Sequence, residues 1–298
     1  MEDLQHQLLI VTGALICFSA LLKCIRFMNY IFPHIWSALP QAFFQSLGEW
    51  AVVTGAGDGL GKAYSFELAR HGLNIVMISR TLEKMQRVAN EIEQATAQKV
   101  KVIQADFTKN SVYENIEKDL EGLEIGVLVN NVGMLHNPLP CRFLNAPDVD
   151  EMTQLILKQM EPRQKGLILN LSSGLGTFPC PLYTMYSASK AFICTFSKAL
   201  QAEYKEKGII IQVVAPYGVS TPMTMHQKPG LITKTAEEFV SESLHYITFG
   251  DEIFGCLAHE LLACVLQLVP LWVLHSDRLQ EAALQAFTSY LKKRWRTS

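Results

Sequence analysis

Residues 50–61 read WAVVTGAGDGLG, and this stretch decides the fold. Trp50 to Thr54 have the β-branched and aromatic character of a short buried strand, and GKAYSFELARHG, from Gly61, has helical spacing. Between them lie glycines at 55, 59 and 61. A strand that passes into a helix through a turn without side chains lets the backbone approach a pyrophosphate, and the helix then offers free N–H groups and a partial positive charge. Gly55, Gly59, Leu60 and Gly61 are therefore the candidate phosphate-side residues. The location of the turn carries the argument, because glycines also occur in turns for purely steric reasons.

Downstream the texture repeats. NIVMIS (74–79), VKVIQAD (100–106), IGVLVNN (125–131), GLILNLSS (166–173) and IIIQVVAP (209–216) alternate with amphipathic stretches such as TLEKMQRVANEIEQ (81–94) and a long helical stretch over 183–207. The pattern predicts an α/β fold of Rossmann type, a doubly wound parallel sheet with six legible strands. The second strand ends in Ser79 and Arg80. An acidic residue there would bind a ribose 2′-hydroxyl, whereas Arg80 suits a 2′-phosphate, so NADPH/NADP+ is the expected cofactor. Asp106, at the end of the third strand, is placed to meet the adenine, and Asn130, Asn131 and Gly133 end the fourth strand at the same sheet edge.

Tyr186 and Lys190 in YSASK are four apart and share a helix face, and Ser173 sits at the carboxyl end of the fifth strand, where α/β enzymes place ligands. A nearby ammonium is expected to lower the Tyr186 pKa towards neutrality, so that the phenol exchanges a proton with a carbonyl oxygen, while Ser173 hydrogen-bonds that oxygen. Lys190 can also hold the cofactor ribose.

TGAGDGLG, NNVG, the Ser173, Tyr186 and Lys190 set, and PYGVSTPM (216–223) together resemble the short-chain dehydrogenases/reductases over about residues 48–225. Within that family the chain is similar to membrane-anchored ketosteroid reductases, with very-long-chain 3-oxoacyl-CoA reductases as a related kind. The resemblance implies NADPH-dependent reduction of an apolar ketosteroid at the endoplasmic reticulum. It makes Tyr186 the proton donor, places Ser173 beside the substrate carbonyl, and puts Thr221 on the cofactor. It also implies a homodimer. GLGTFPCPLYTM (174–185) and VSTPMTM (219–225) supply lining that suits an apolar ketone.

One stretch departs from the family pattern. Family members carry a long helix between the fourth and fifth strands, with an Asn that supports a water-mediated proton path to the active-site Lys. Here FLNAPDVDEMTQLILKQMEP (143–162) becomes helical only around Asp150, and that helix has no Asn; Asn145, before Ala146 and Pro147, reads as a turn residue. The crossover still exceeds the dozen or so residues that a parallel connection requires. The expectation is a shortened variant with impaired turnover, a crossover helix that buries less and a weakened dimer face.

The chain has 298 residues, with 49% hydrophobic and 18% charged, and a net charge of −2, which excludes disorder and gives no basic footprint for nucleic acid. Much of the apolar surplus lies at the ends. LLIVTGALICFSALL (8–22) is followed by Lys23 and Arg26, which predicts a membrane anchor with the rest of the chain on the cytosolic side. Residues 253–274 form a second apolar run, interrupted by His259, Glu260 and Pro270, read as a span, a surface-lying segment or part of a substrate lid. LKKRWRTS closes the chain with a basic cluster around Trp295 that suits an interfacial contact. The expected organisation is an anchor and linker over 1–47, a cofactor-binding core over 48–225, and a lid and membrane-associated region over 226–298. Seven cysteines without Cys-x-x-Cys or finger spacing argue against zinc and a disulfide framework, and the Asn170-Leu171-Ser172 sequon falls in a predicted core strand.

Overall fold

The structure, a computed structural model, describes residues 2–36, 39–40, 42–109, 112–132, 150–282 and 285. Gly133, Asn145 and the basic cluster at 292–296 lie outside the described residues. By internal contacts the chain divides into two units, Met1–Pro40 and Gln41–Ser298. The first holds helix α1 (Glu2–Trp36), in which Gln5–Leu22 is apolar and long enough to cross a membrane and has none of its surface buried.

In the second unit, α2 (Ala42–Leu47) precedes β1 (Trp50–Thr54), α3 (Gly59–Arg70), β2 (Asn74–Ser79), α4 (Leu82–Thr96), β3 (Val100–Gln104), α5 (Tyr113–Leu120) and β4 (Ile125–Asn130). Next come α6 (Asp150–Met160), β5 (Gly166–Leu171), α7 (Thr184–Tyr204), β6 (Ile209–Val214), the short strands β7 (Val219–Ser220) and β8 (Lys234–Thr235), α8 (Ala236–His245), β9 (Glu252–Ile253), α9 (Leu257–Leu268) and α10 (Leu271–Leu274).

The main sheet has seven strands in the order β3-β2-β1-β4-β5-β6-β9, all parallel. Helices cover both faces, so β4 and β5 are buried along their whole length, and their Val, Ile and Leu runs lack alternation for that reason. Each such side chain contributes roughly 1.5–3 kcal/mol on burial. The strand order reverses between β1 and β4, which opens a crevice at the carboxyl edge of the sheet.

The seventh strand falls inside the second apolar run. Ile253 pairs with Val214, Pro270 follows α9 directly, and the run is thereby divided into a strand and two short helices. At 12 residues α9 extends about 18 Å, too short to cross a bilayer core of about 30 Å.

The crossover helix α6 is described from Asp150, and it is well seated from there on. Met152, Leu155, Ile156, Leu157 and Met160 are buried in one cluster with β4 and β5. Thr153 is buried too, and its Oγ1 accepts from Asn130 Nδ2 at 3.0 Å; Asn130 Nδ2 also donates to Asn170 Oδ1, and Asn170 Nδ2 donates to Ser197 Oγ. This polar chain links α6, β4, β5 and α7. Asn170 is thus a core residue, as its strand position implies.

Candidate active site

The glycine turn is shaped by what its residues lack. Gly55 and Gly59 have φ of +65° and +54°, in the left-handed region that favours glycine. A Cβ on Gly61 would lie 2.2 Å from the Gly55 carbonyl oxygen and 2.7 Å from Asn131 Nδ2. α3 can therefore begin directly against the end of β1. Asn131 secures the turn from the neighbouring strand: its Nδ2 donates to the carbonyls of Thr54 and Gly55 at 3.2 and 3.3 Å, and its N–H donates to Thr54 Oγ1 at 3.0 Å.

A cleft of about 350 Å³ runs along this sheet edge. Gly55, Gly59, Leu60, Asn131 and Val132 line its middle, and Ser79, Arg80, Thr81, Lys84 and Asp106 line one side. Ser173, Tyr186 and Lys190 line it as well, and Tyr217, Thr221, Met223 and Thr224 complete the wall. Thus every expected site residue within the described part of the chain borders one cavity except Gly61, which packs behind the turn against the Gly55 carbonyl; Gly133 lies outside that part. A turn emptied of Cβ atoms at the start of a helix, with two basic side chains beside the second strand, fits the diphosphate of a nicotinamide dinucleotide. Asp106 is held below its usual range, chiefly by hydrogen bonds from the Thr108 backbone and hydroxyl.

Ser173 closes β5. Its Oγ accepts from Leu175 N–H at 3.2 Å and reaches the Pro216 carbonyl at 3.4 Å. On α7, Lys190 and Tyr186 face the same cleft, with Lys190 Nζ 5.8 Å from the Tyr186 ring centre. Lys190 Nζ donates to the Leu171 carbonyl at 2.9 Å, and burial pulls its pKa down to about 8. The Tyr186 phenol behaves differently from the sequence expectation. Burial raises its pKa above the ordinary value, and a hydrogen bond with Ser173 lowers it only in part. Desolvation of the phenolate sets the direction, while the Lys190 ammonium is engaged by the Leu171 carbonyl.

Several residues of the site carry no motif of their own. Lys84 borders the cleft beside Arg80 and pairs with Asp58 at 3.0 Å; its place one helical turn into α4 was a readable signal. The Tyr217 ring stacks on Phe254 at 5.6 Å and packs so closely on Gly174 that a Cβ there would come within 2.3 Å of it. His259 is fully buried. Its Nε2 donates to the Ile232 carbonyl at 2.8 Å, so its Nδ1 accepts from Tyr217 N–H at 3.4 Å. Neighbouring Glu260 turns inward to accept from Phe254 N–H. One imidazole therefore joins both ends of the loop that carries Thr221, Met223 and Thr224 over the cleft. Among the described residues no His, Cys, Asp and Glu cluster has metal-binding form.

The profile of the short chain dehydrogenase family matches residues 49–231. The chain is 58% identical over 304 residues to 17-beta-hydroxysteroid dehydrogenase type 3 of Homo sapiens, covering 98% of each chain. It is 43% identical over 264 residues to a very-long-chain 3-oxoacyl-CoA reductase of Anas platyrhynchos, covering 83% of this chain and 84% of that one. Among solved structures, a short-chain dehydrogenase from Sphingobium yanoikuyae in complex with NADPH superimposes with a TM-score of 0.57 at 26% identity, covering 65% of this chain and 82% of that one.

Proposed function

Because the chain belongs to the short-chain dehydrogenase family and is an oxidoreductase, we propose that it reduces a 17-ketosteroid, androstenedione to testosterone, with NADPH as the reductant. The observation that carries this reading is a single cleft joining the glycine turn and Arg80 to Ser173, Tyr186 and Lys190. Bound there, NADPH would supply the hydride for the carbonyl carbon. Gly55, Gly59, Leu60 and Gly61 would hold its diphosphate, Arg80 and Lys84 its 2′-phosphate, Asp106 its adenine, and Thr221, which packs over Gly59, would close the turn.

The chain's own residues supply the proton and hold the substrate. Ser173 Oγ–H hydrogen-bonds the ketone oxygen. The Tyr186 O–H bond breaks as that oxygen gains the proton, giving the alcohol. A raised phenol pKa suits this direction, since it keeps Tyr186 protonated at neutral pH. With a pKa of about 8, Lys190 remains mostly charged there and stabilises the tyrosinate left behind.

The same reading places α1 across the endoplasmic reticulum membrane with the catalytic unit in the cytosol, supported by its apolar length and by Lys23 and Arg26 on its C-terminal side. A homodimer with a thinner contact at α6 belongs to it as well.

A second reading, an NADPH-binding protein of low or no turnover, is favoured by one observation. Over its described span, Asp150–Met160, α6 carries no Asn, and the polar group it turns towards β4 is Thr153. Loss of a proton relay costs about 10²- to 10⁴-fold in general acid catalysis. NADPH-coupled assays of membranes containing the full chain, with androstenedione and a 3-oxoacyl-CoA as substrates and Tyr186→Phe as control, separate the readings. Steroid turnover abolished by Tyr186→Phe supports the first. Reduction of the thioester alone makes the protein a fatty acyl reductase, and NADPH binding without turnover supports the second.

A further inference from the structure

The outer surface of α9 has no place in the reaction, and it is unlike that of the other surface helices. Its inner side buries His259, Glu260 and Ala263. Its outer side presents Leu257, Leu261, Val265 and Leu268 at the spacing of one helical stripe, with Leu268 77% exposed, and Trp272 of α10 continues the stripe at 76% exposure. From Ile253 to Ser276 the single charged residue is Glu260, which faces inward. By contrast α4, the more amphipathic of the two, turns Glu83, Lys84, Arg87 and Glu93 outward.

We propose that this stripe and Trp272 rest in the interfacial layer of a phospholipid bilayer, as a second membrane contact of the catalytic unit. Three features select lipid over another protein surface. The same chain carries an apolar helix long enough to cross a bilayer, which keeps the stripe at high local concentration beside lipid, and one weak apolar contact becomes stable when a second anchor is present. A tryptophan at the end of an apolar stripe is an interfacial anchor. Lys292, Lys293, Arg294 and Arg296 follow in the sequence and complement anionic headgroups. α9 is too short to cross and so lies along the surface.

The two helices are also tied to loops beside the cleft. His259 ties α9 to Ile232 of the loop over the site, where Leu231 is 88% exposed, and His275 after α10 donates from Nε2 to the Pro179 carbonyl in the loop between Ser173 and α7. An apolar molecule dissolved in the bilayer would meet both loops without crossing water.

The test uses the full chain in nanodiscs of phosphatidylcholine and phosphatidylserine with brominated acyl chains, read by tryptophan fluorescence. Subtracting Trp272→Phe isolates the emission of Trp272. Most of that share is expected to be quenched, and the double substitution Leu261→Glu with Leu268→Glu is expected to restore it while NADPH binding is unchanged. Unquenched Trp272 emission in a protein that binds NADPH overturns the proposal. So does efficient cross-linking of the exposed Cys264 between two copies in the same disc, which assigns the face to a second copy. The readouts are emission and NADPH binding, so failure here leaves the choice of ketone untouched, and failure of the steroid assay leaves this contact untouched.

Discussion

Two regions reach the same cleft and are held there in opposite ways. The turn over 54–61 is shaped by missing side chains, and what fixes it is local: β1 ends, α3 begins, and glycines let the two meet. The loop over 216–235 is shaped by a side chain from elsewhere, the imidazole of His259, which holds Tyr217 and Ile232 together. Closeness in sequence makes the first constraint visible as a motif. Distance in sequence hides the second, because a histidine in an apolar run looks like an interruption until the fold shows what it touches.

The largest expected effect tests the turn. In Gly61→Ala the new methyl meets the Gly55 carbonyl at 2.2 Å, and backbone cannot yield as a flexible side chain would. The turn must open, at about 1–3 kcal/mol for overpacking, and a shift of about 1 Å at the phosphate site lowers NADPH affinity roughly a hundredfold. A fluorescence titration with NADPH measures it; affinity close to wild type would show that the turn tolerates a side chain and that the comparison is misdrawn.

Lys190 lines the cleft that both regions reach, and its burial predicts a pH dependence. Its ordinary pKa of 10.5 is lowered to about 8 in the folded protein, chiefly by desolvation. Between these values the unfolded chain binds the proton and the folded chain does not, so stability from this group rises with pH across roughly 8 to 10.5. Below about 8 the cost of burying the ammonium is present in full, with an upper bound of roughly 3 kcal/mol. Tyr64, whose pKa burial raises, acts in the opposite sense above its ordinary value of 10.0. Comparison with Lys190→Met cancels that contribution. In denaturant titrations the variant is expected to be the more stable at pH 7, and the gap should close towards pH 10.5; a gap independent of pH would mean that Lys190 is not desolvated.

The regions also differ in what the sequence reveals. Arg80, Asp106, Asn131 and the Ser173, Tyr186 and Lys190 set were legible because strand ends in a parallel sheet must share one edge, so the alternating pattern places them together. The direction of the Tyr186 shift was not legible, since it depends on how far the fold buries the phenol. β9 was hidden because it is two residues long, Glu252–Ile253, and is set by its pairing with Val213 and Val214 rather than by any pattern of its own. The helical pattern of α6 from Asp150 was legible, whereas its dense packing from Met152 to Met160 was not, because burial depends on the strands beneath it.

A smaller effect sharpens the cofactor side. Arg80 is exposed at the cleft, so the contact proposed for it with a 2′-phosphate would be partly screened, and Arg80→Ser is expected to lower NADPH affinity about tenfold while leaving NADH affinity unchanged. Parallel titrations with the two dinucleotides check this. Equal losses for both would assign Arg80 to the shared diphosphate and leave Lys84 as the discriminating cation.

The smallest expected effect tests the loop. His259→Phe retains an aromatic ring of similar size but leaves Tyr217 N–H and the Ile232 carbonyl without the imidazole, a net loss of about 1 kcal/mol and roughly fivefold in NADPH affinity. Burial lowers the His259 pKa below its ordinary 6.5, so on acidification the unfolded chain takes up a proton before the folded one. Stability therefore falls as pH drops through 6.5, and protonation of Nδ1 also removes the acceptor for Tyr217 N–H. The variant should lose this acid limb while wild type keeps it, in thermal melts between pH 7 and 5. A constraint imposed at a distance thereby acquires a signature that the glycine turn, which holds no titratable group at Gly55, Gly59 or Gly61, cannot produce. If both proteins melt alike across that range, the loop is held by its own backbone, and the two regions differ less than their contacts imply.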